Sequence, residues 1–239
     1  MHRQYAGRVT GSLTGVRALL DSALDVALDV AFPGLCVGCG REGTVLCTAC
    51  VRPLDARLGI AAGVHIGLPG DIPEPLLQLE WCAAFRGVVR EALHGLKYHG
   101  EQRLAAPLGN AVARRWRAVG VGADLVTHVP VHADRARQRG YDQAALIARA
   151  AAGQLGLPHA TLLRRQRATI AQFDLDRRHR AANVEGAFDG VRGSVDVAGR
   201  WILLVDDVVT TGATLAACAI ELEAGGAAGV SAITVARER

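Results

Sequence analysis

The sequence predicts an α/β protein, with a parallel sheet flanked by helices and a small cysteine-rich module ahead of it. Three observations support this fold class. Strand-like apolar runs alternate with helix-like segments in the second half of the chain, as in strand–helix–strand units. Four cysteines form two close pairs within residues 36–50. A buried-strand pattern, residues 201–205, runs directly into two aspartates and a loop of small hydroxyl residues.

The composition is that of an ordinary globular protein. Its 239 residues are 50% apolar and 21% charged, and the formal net charge is +4. This mild excess of basic residues is compatible with phosphorylated ligands or nucleic acid and requires neither. Among 27 basic residues only Lys97 is a lysine. Lys97 is either needed as a compact ammonium group or a chance survivor in a sequence typical of a G+C-rich genome.

The first 33 residues predict an amphipathic helix rather than a membrane span or a secretory signal. Their apolar stretch is interrupted by Arg17 and by three acidic residues spaced four apart, Asp21, Asp25 and Asp29. We therefore expect a cytoplasmic protein without a membrane span. Six cysteines in such a protein favour metal binding or burial over disulfides.

The paired cysteines predict a four-thiolate metal site. Their spacing is C-x2-C, seven residues, C-x2-C, formed by Cys36, Cys39, Cys47 and Cys50. Two such knuckles complete a tetrahedral site, most simply for a structural Zn²⁺. An iron–sulfur cluster and two redox-active pairs are the alternatives. Cys82 and Cys218 stand alone in apolar surroundings and are expected in the core.

Hydrophobic periodicity divides the chain into a helix at 1–33, a zinc module at 34–55, a linker at 56–80 and an α/β domain at 81–239. Within the last domain the predicted helices are 88–98, 104–119, 141–155 and 212–224. The predicted strands are 79–85, 124–131, 159–165, 201–205 and 230–236. Residues 164–183 are polar, rich in arginine and only weakly periodic, which predicts a long mobile loop or a disordered basic segment.

The doubled aspartate predicts a binding site for a sugar phosphate. Asp206 and Asp207 come at the end of a predicted parallel strand, where ligands of open α/β sheets bind. Residues 210–214, Thr-Thr-Gly-Ala-Thr, then begin a helix whose free N–H groups and hydroxyls suit a phosphate. The carboxylates suit the hydroxyls of a ribose, and they could also help to place Mg²⁺. The alternative is that Thr210 or Thr211 is an ordinary helix cap and that the two aspartates are solvated residues at the end of the strand.

The run from Ile202 to Thr214 resembles the phosphoribosyl-pyrophosphate (PRPP) motif of type I phosphoribosyltransferases. Together with the cysteine pairs, further motifs resemble the ComF family, namely LKYHG (96–100), VPV (129–131), RQRGYDQA (137–144) and RHRAANVEGAF (178–188). The resemblance covers residues 30–239 and implies a type I phosphoribosyltransferase fold. It departs at Asp142, where the family pattern usually has Asn. That change removes two donors and adds a charge, which would shift the ligand preference if the position touches a ligand. The alternative is that Asp142 is only a residue at the N-terminus of a helix, where Asp is favoured.

The resemblance implies roles for particular residues. PRPP would contact the acidic pair and the residues that follow it, which are Val208, Val209, Thr210, Thr211, Gly212, Ala213 and Thr214. Pyrophosphate would bind the turn at Val131 and His132, with Arg139 nearby, and Arg180 of the mobile loop could close over it. Lys97 stands at a lysine position of the family and is a candidate phosphate contact. The alternatives are a solvated basic turn near Arg139 and a disordered basic loop around Arg180.

Three functional hypotheses follow. The first is a phosphoribosyltransferase that uses PRPP with Mg²⁺, in which Asp206 and Asp207 carry the catalytic role, in DNA uptake, competence or nucleotide metabolism. The second is a non-catalytic competence factor that binds single-stranded DNA and proteins of the competence machinery. The third is a regulator that senses PRPP. An aromatic content of only 4% argues against an extended base-stacking platform.

Overall fold

A computed structural model describes residues 34–63, 72–166, 187–191 and 195–238. The predicted amphipathic helix at 1–33 lies outside the described residues, and so does the basic loop from residue 167 onward, including Arg180.

The described residues form six strands: β1 (Gln78–Ala84), β2 (Leu125–His128), β3 (Leu163–Arg165), β4 (Phe188–Gly190), β5 (Trp201–Val209) and β6 (Gly229–Arg237). The main sheet has four parallel strands in the spatial order β1-β6-β5-β2. A two-stranded antiparallel sheet, β3-β4, lies apart from it. A single parallel bridge between Val126 and His159 continues the main sheet beyond β2. The predicted α/β class with a parallel sheet is confirmed.

Five α-helices connect and cover the strands in the described residues: α1 (Gly87–Tyr98), α2 (Ala105–Val119), α3 (Ala133–Arg139), α4 (Gln143–Leu155) and α5 (Ala213–Ala224). The four predicted helices agree with α1, α2, α4 and α5 to within two residues. The short helix α3 is an addition to the prediction, and it ends at Gly140, whose φ of 80° reverses the chain. No helix in this part of the chain is both long and apolar enough to traverse a bilayer.

The core has one apolar cluster on each face of the sheet. Leu203 and Val205 of β5 pack with buried residues of α1, α2 and α4 on one face. Ile202 and Leu204 pack on the other face with α5, β3 and β4. Each such side chain contributes about 1.5–3 kcal/mol by burial. Cys82 and Cys218 are fully buried, one in each cluster, as expected.

The strand β5 differs from its prediction at the end that matters for the site. We expected the acidic pair to follow the strand, but β5 continues through Val209. The physical reason is that β6 keeps pairing with β5, with Asp206 opposite Thr234 and Val208 opposite Ala236. In contrast, β2 stops pairing after His128, before Pro130, which has no N–H for the ladder. The acidic pair therefore lies on a strand with one open side.

Two other predicted strands also end differently. The strand expected at 124–131 is limited to β2. The strand expected at 159–165 contributes one bridge residue to the main sheet, and its last three residues pair instead with β4.

The four-cysteine module packs directly on the α/β core. Cys36, Val45, Leu46, Cys47 and Leu54 belong to the same buried cluster as the apolar faces of α1 and α2. The proposed domain boundary near residue 55 thus lies within a shared core, and the boundaries stay predictions.

A buried ion pair fastens the segment after the cysteine module to the sheet. Glu80 of β1 and Arg115 of α2 are both inaccessible to solvent and form an ion pair with Nη2···Oε2 at 2.6 Å. Arg115 also donates to the carbonyl oxygens of Arg57 and of Ile60. The backbone N–H of Gly63 donates to Glu80 at 3.2 Å. Residues 57–63, predicted as part of a linker, are in this way held against the domain.

Candidate functional site

Asp207 is the buried centre of the candidate site. Its side chain points toward the helices α1 and α4, where the Nζ of Lys97 lies 2.7 Å from its Oδ2. The Nε2 of Gln143, at the start of α4, donates to the same oxygen at 3.2 Å. These two donors come from helices that pack on the same face of the sheet, so the fold itself brings them to the carboxylate.

The charges of this cluster are strongly coupled. Burial and the neighbouring Asp207 raise the pKa of Asp206 well above its ordinary value, although Lys97 opposes the change. Burial would lower the pKa of Lys97, but the Asp207 carboxylate outweighs it, and the pKa of Lys97 is raised. Asp206 also accepts a hydrogen bond from the Asp207 backbone N–H at 2.8 Å. Ionisation of Asp206 is thus disfavoured, while Lys97 stays protonated beside Asp207.

The loop after β5 has the shape expected of an anion site. Gly212 has a φ of 81° and directly precedes α5, a conformation that favours glycine. A Cβ at this position would lie 2.7 Å from the Cγ of Pro73, so steric crowding requires glycine as well. The Thr211 hydroxyl accepts from the Ala213 N–H at 3.4 Å. The cap residue of α5 is nevertheless Gly212, without a side-chain cap bond, and Asp207 is buried, so the alternative of a threonine cap after two solvated aspartates does not hold.

Asp142 fixes the turn that follows β2. Its Oδ2 accepts from the backbone N–H of Val131 at 2.9 Å, and its Oδ1 accepts from the N–H of Ala145 at 3.1 Å. One carboxylate therefore caps α4 and also holds the turn at residues 129–132. Both of its oxygens act as acceptors, so the departure from the usual Asn has a structural use in this chain.

A histidine pair lies below the same turn. The Nδ1 of His128 is 3.3 Å from the Nε2 of His159, and their rings stack with centroids 5.4 Å apart. Burial lowers the pKa of His128, although Asp142, 3.9 Å away, opposes this. Burial and His128 lower the pKa of His159 to about 4. Both imidazoles are accordingly neutral at physiological pH.

Basic and aromatic side chains form a rim around the same space as the acidic pair. The Nη1 of Arg139 donates to the Oε1 of Gln143 at 2.8 Å, and its guanidinium lies 5.2 Å from the ring centroid of Tyr98. Tyr98 is 62% exposed. Arg135 of α3 and Arg165 of β3 also border the same space. The rim therefore offers cationic groups to a polyanion.

These elements enclose one open cleft of about 490 Å³. The structure brings to it the predicted residues of the PRPP motif, of the turn and of LKYHG, which are Lys97, Val131, His132, Arg139, Asp206, Asp207, Val208, Val209, Thr210, Thr211, Gly212, Ala213 and Thr214. Arg180 lies outside the described residues. The roles of all of them stay predictions.

Sequence reasoning missed some of the lining residues. Gln143, which bonds Asp207, and Tyr98, at the rim, were not singled out, and neither were Gln138 and Glu238. Gln143 and Tyr98 lie within the quoted motifs RQRGYDQA and LKYHG, so those motifs carried a usable signal.

The four cysteine sulfurs fit a metal ion. All lie within 4.8 Å of one another, and the Sγ atoms of Cys39 and Cys47 are 3.7 Å apart. A tetrahedral four-thiolate zinc site needs sulfurs about 3.8 Å apart. Although burial opposes it, hydrogen bonds from backbone N–H groups, that of Cys47 foremost, lower the pKa of Cys36 to about 6. Gly38 is constrained as well, because a Cβ there would lie 2.8 Å from the Cys50 Sγ.

The acidic pair fits a directly bound Mg²⁺ poorly. The Lys97 ammonium group already lies 2.7 Å from Asp207, and a second cation at that oxygen would be repelled. Within the described residues, only the four cysteines form a metal-ligand group of three or more His, Cys, Asp or Glu side chains.

Comparison with known proteins gives relatives that span most of the chain, although no family model matches it. The chain is 31% identical over 218 residues to the DNA utilization protein YhgH of Salmonella typhi, covering 83% of this chain and 94% of that protein. It is 31% identical over 221 residues to YhgH of Escherichia coli K12, with the same coverage. Competence protein F of Haemophilus influenzae is 32% identical over 93 residues, which are 38% of this chain and 41% of that protein.

Solved structures show similarity over about half of the chain. The glutamine PRPP amidotransferase from B. subtilis matches 54% of this chain and 25% of its own, with 25% identity and a TM-score of 0.37. Adenine phosphoribosyltransferase from Leishmania tarentolae matches 54% of this chain and 55% of its own, with 17% identity and a TM-score of 0.34.

Proposed function

This chain belongs to the ComF family, represented by DNA utilization protein YhgH and competence protein F, and from that premise we propose that its cleft binds PRPP and supports phosphoribosyl transfer. One observation carries the proposal. The acidic pair and the loop at residues 210–214 border a single cleft, so acceptors for sugar hydroxyls and donors for a phosphate lie on adjacent walls.

In this proposal the ribose occupies the open side of β5. Asp206 and Asp207 accept hydrogen bonds from its vicinal hydroxyls. The 5-phosphate binds the hydroxyls and N–H groups of residues 210–214, at the start of α5, where the helix dipole favours an anion. A ligand that carries vicinal hydroxyls and a 5-phosphate on one sugar can bind the acidic pair and residues 210–214 at the same time.

The pyrophosphate then faces the basic rim. Arg135, Arg139 and Arg165 border that part of the cleft and offer charge-assisted hydrogen bonds. The N–H of Val131 is engaged by Asp142, so we expect these side chains, rather than that amide, to hold the leaving group. Mg²⁺ would enter with the pyrophosphate it neutralises, and Arg180 would act from the basic loop.

The chemical step would be a displacement at the anomeric carbon. The bond from that carbon to the pyrophosphate oxygen breaks with its electron pair on the pyrophosphate, and a nucleophile forms the new bond and loses its proton. The protein would contribute by positioning the ribose and by stabilising the departing charge.

The cysteine module would hold a structural Zn²⁺. Four thiolates leave no open coordination position, so the ion would stabilise the fold rather than react. The sulfur geometry supports this assignment.

Calorimetric titration with PRPP in the presence of Mg²⁺ tests the proposal. We expect the native chain to bind, and Asp206→Ala/Asp207→Ala to lose binding. Arg90→Met, which changes an exposed residue of α1, is the control and should leave affinity unchanged. Failure of the native chain to bind at millimolar PRPP would refute the assignment of the cleft.

Single-stranded DNA is a second candidate ligand. The supporting observations are the names of the relatives and the exposed ring of Tyr98 at the cleft, with the Arg139 guanidinium 5.2 Å from its centroid. Electrostatic binding to DNA weakens as salt rises, so a titration at several salt concentrations should give a negative slope. Negligible binding at low salt would remove this candidate and leave PRPP as the ligand.

A further inference from the structure

The carboxylate of Asp142 binds a backbone donor in the turn where the pyrophosphate would lie. Its Oδ2 accepts from the N–H of Val131 at 2.9 Å. Val131 borders the cleft, as do His132, Arg135 and Arg139. One N–H group of this turn is therefore already used by the protein itself.

Asp142 is held firmly in this position. It is the N-cap residue of α4, and its Oδ1 accepts from the N–H of Ala145 at 3.1 Å. The helix dipole at this end of α4 also favours a negative charge. Because each of its two oxygens is bound to a backbone N–H group, the carboxylate is a fixed acceptor at the turn.

The charge of Asp142 is not cancelled by the imidazole beside it. The Nε2 of His128 lies 3.9 Å from the Oδ2 of Asp142. Burial lowers the pKa of His128, although Asp142 opposes this, so the imidazole is neutral at physiological pH. A phosphate oxygen that approaches the turn would therefore be repelled by a like charge.

We propose that Asp142 competes with the pyrophosphate of PRPP for the N–H of Val131 and thereby weakens the binding of pyrophosphorylated ligands to the cleft. A backbone N–H is a single donor, so a phosphate oxygen gains it only when Asp142 releases it. This inference rests on the proposed function, because it takes the turn as part of the pyrophosphate site. Asp142 would thus determine specificity at the pyrophosphate end of the ligand, and not at the 5-phosphate end near residues 210–214.

An asparagine at this position would remove the competition. Its single acceptor oxygen can keep the cap of α4, and its amide nitrogen, which only donates, then faces Val131. The N–H of Val131 becomes available to a phosphate oxygen, and the negative charge is gone. Since Asn is the usual residue of the family pattern, the competing carboxylate is a feature of this chain.

Calorimetry of the full chain with PRPP and with ribose 5-phosphate, both in the presence of Mg²⁺, tests the inference. We expect Asp142→Asn to bind PRPP about tenfold more tightly than the native chain does, because it gains one charge-assisted hydrogen bond to a phosphate. Its affinity for ribose 5-phosphate, which has no pyrophosphate, should change by less than about twofold. Glu91→Gln makes the same chemical change on the exposed face of α1 and should alter neither affinity.

The outcomes separate this inference from the proposed function. If the native chain binds PRPP and Asp142→Asn binds it equally or more weakly, the inference is overturned and the proposed function stands. Equal tightening of both ligands would overturn it too, because the effect would then not depend on the pyrophosphate. If none of the chains binds PRPP, the proposed function fails as well.

A second variant and a structure cover the case in which Asp142→Asn does not fold, which its thermal melt would show. Asp142→Ser, whose single hydroxyl can cap α4 and leave Val131 free, should also bind PRPP more tightly. If neither variant folds, a crystal structure of the native chain with PRPP and Mg²⁺ decides. A pyrophosphate at the turn, with only one acceptor on the Val131 N–H, supports the competition. A pyrophosphate that shares this N–H with Asp142, or that lies away from the turn, would overturn it.

Discussion

Asp142→Asn should destabilise this protein, even though Asn is the usual residue at this position of the family pattern. Both oxygens of Asp142 accept backbone N–H groups, from Val131 at 2.9 Å and from Ala145 at 3.1 Å. An asparagine has one acceptor oxygen, and its amide nitrogen only donates. Whichever way the amide is turned, one of the two N–H groups would face another donor.

The expected cost follows from that single lost acceptor. Asn caps a helix about as well as Asp, so the bond to Ala145 can be kept at little cost. The N–H of Val131, in the part-buried turn, then loses its partner. An unsatisfied buried donor costs about 1–3 kcal/mol. For a domain of this size that corresponds to a fall in melting temperature of roughly 3–10 °C.

Urea denaturation followed by circular dichroism at neutral pH measures this difference. Asp134→Asn is the matched control, since Asp134 is 66% exposed on α3 and should change stability by less than about 0.5 kcal/mol. Asp142→Ala, which removes both acceptors, should be less stable than Asp142→Asn. If Asp142→Asn proves as stable as the native protein, the two-acceptor role of Asp142 is refuted.

Three further predictions concern charge, metal and pH. Asp206→Asn should raise the melting temperature of the ligand-free protein, because the raised pKa of Asp206 means that its ionised form costs stability at neutral pH. The same variant should weaken PRPP binding. A lower melting temperature would contradict the first expectation. Metal analysis should find one zinc per chain. Cys39→Ser or a strong chelator should lower the melting temperature of the whole α/β domain, because the cysteine module shares its core. A separate minor transition, with the main transition unmoved, would argue against a shared core. Stability should fall as pH is lowered from 6.5 toward 4, because the pKa of His159 is lowered to about 4 and the unfolded chain binds more protons between these pH values. His159→Gln should flatten the pH profile of the melting temperature, and an equally steep profile would exclude His159 as a cause.

The parts of the site that could be predicted from sequence are those contiguous along the chain. The acidic pair and residues 210–214 form one uninterrupted segment. The hydrophobic pattern and the turn residues therefore predicted a strand, a loop and a helix in that order. The four cysteines were also predictable, since their spacing sets the knuckle geometry.

The remaining parts depend on tertiary packing that periodicity does not encode. Lys97 and Gln143 meet at Asp207 only because α1 and α4 pack on the same face of the sheet. The continuation of β5 past Val205 depends on the register with β6, a property of two distant segments. Similarly, the bond from Val131 to Asp142 and the buried pair of Glu80 and Arg115 require neighbours that no local pattern identifies.

A crystal structure of the full chain with ribose 5-phosphate would show whether the cleft is a sugar-phosphate site. We expect the phosphate at residues 210–214 and the sugar hydroxyls within hydrogen-bonding distance of Asp206 and Asp207, with the Lys97–Asp207 contact preserved. A sugar phosphate bound elsewhere, or a cleft that stays empty at saturating ligand, would contradict it.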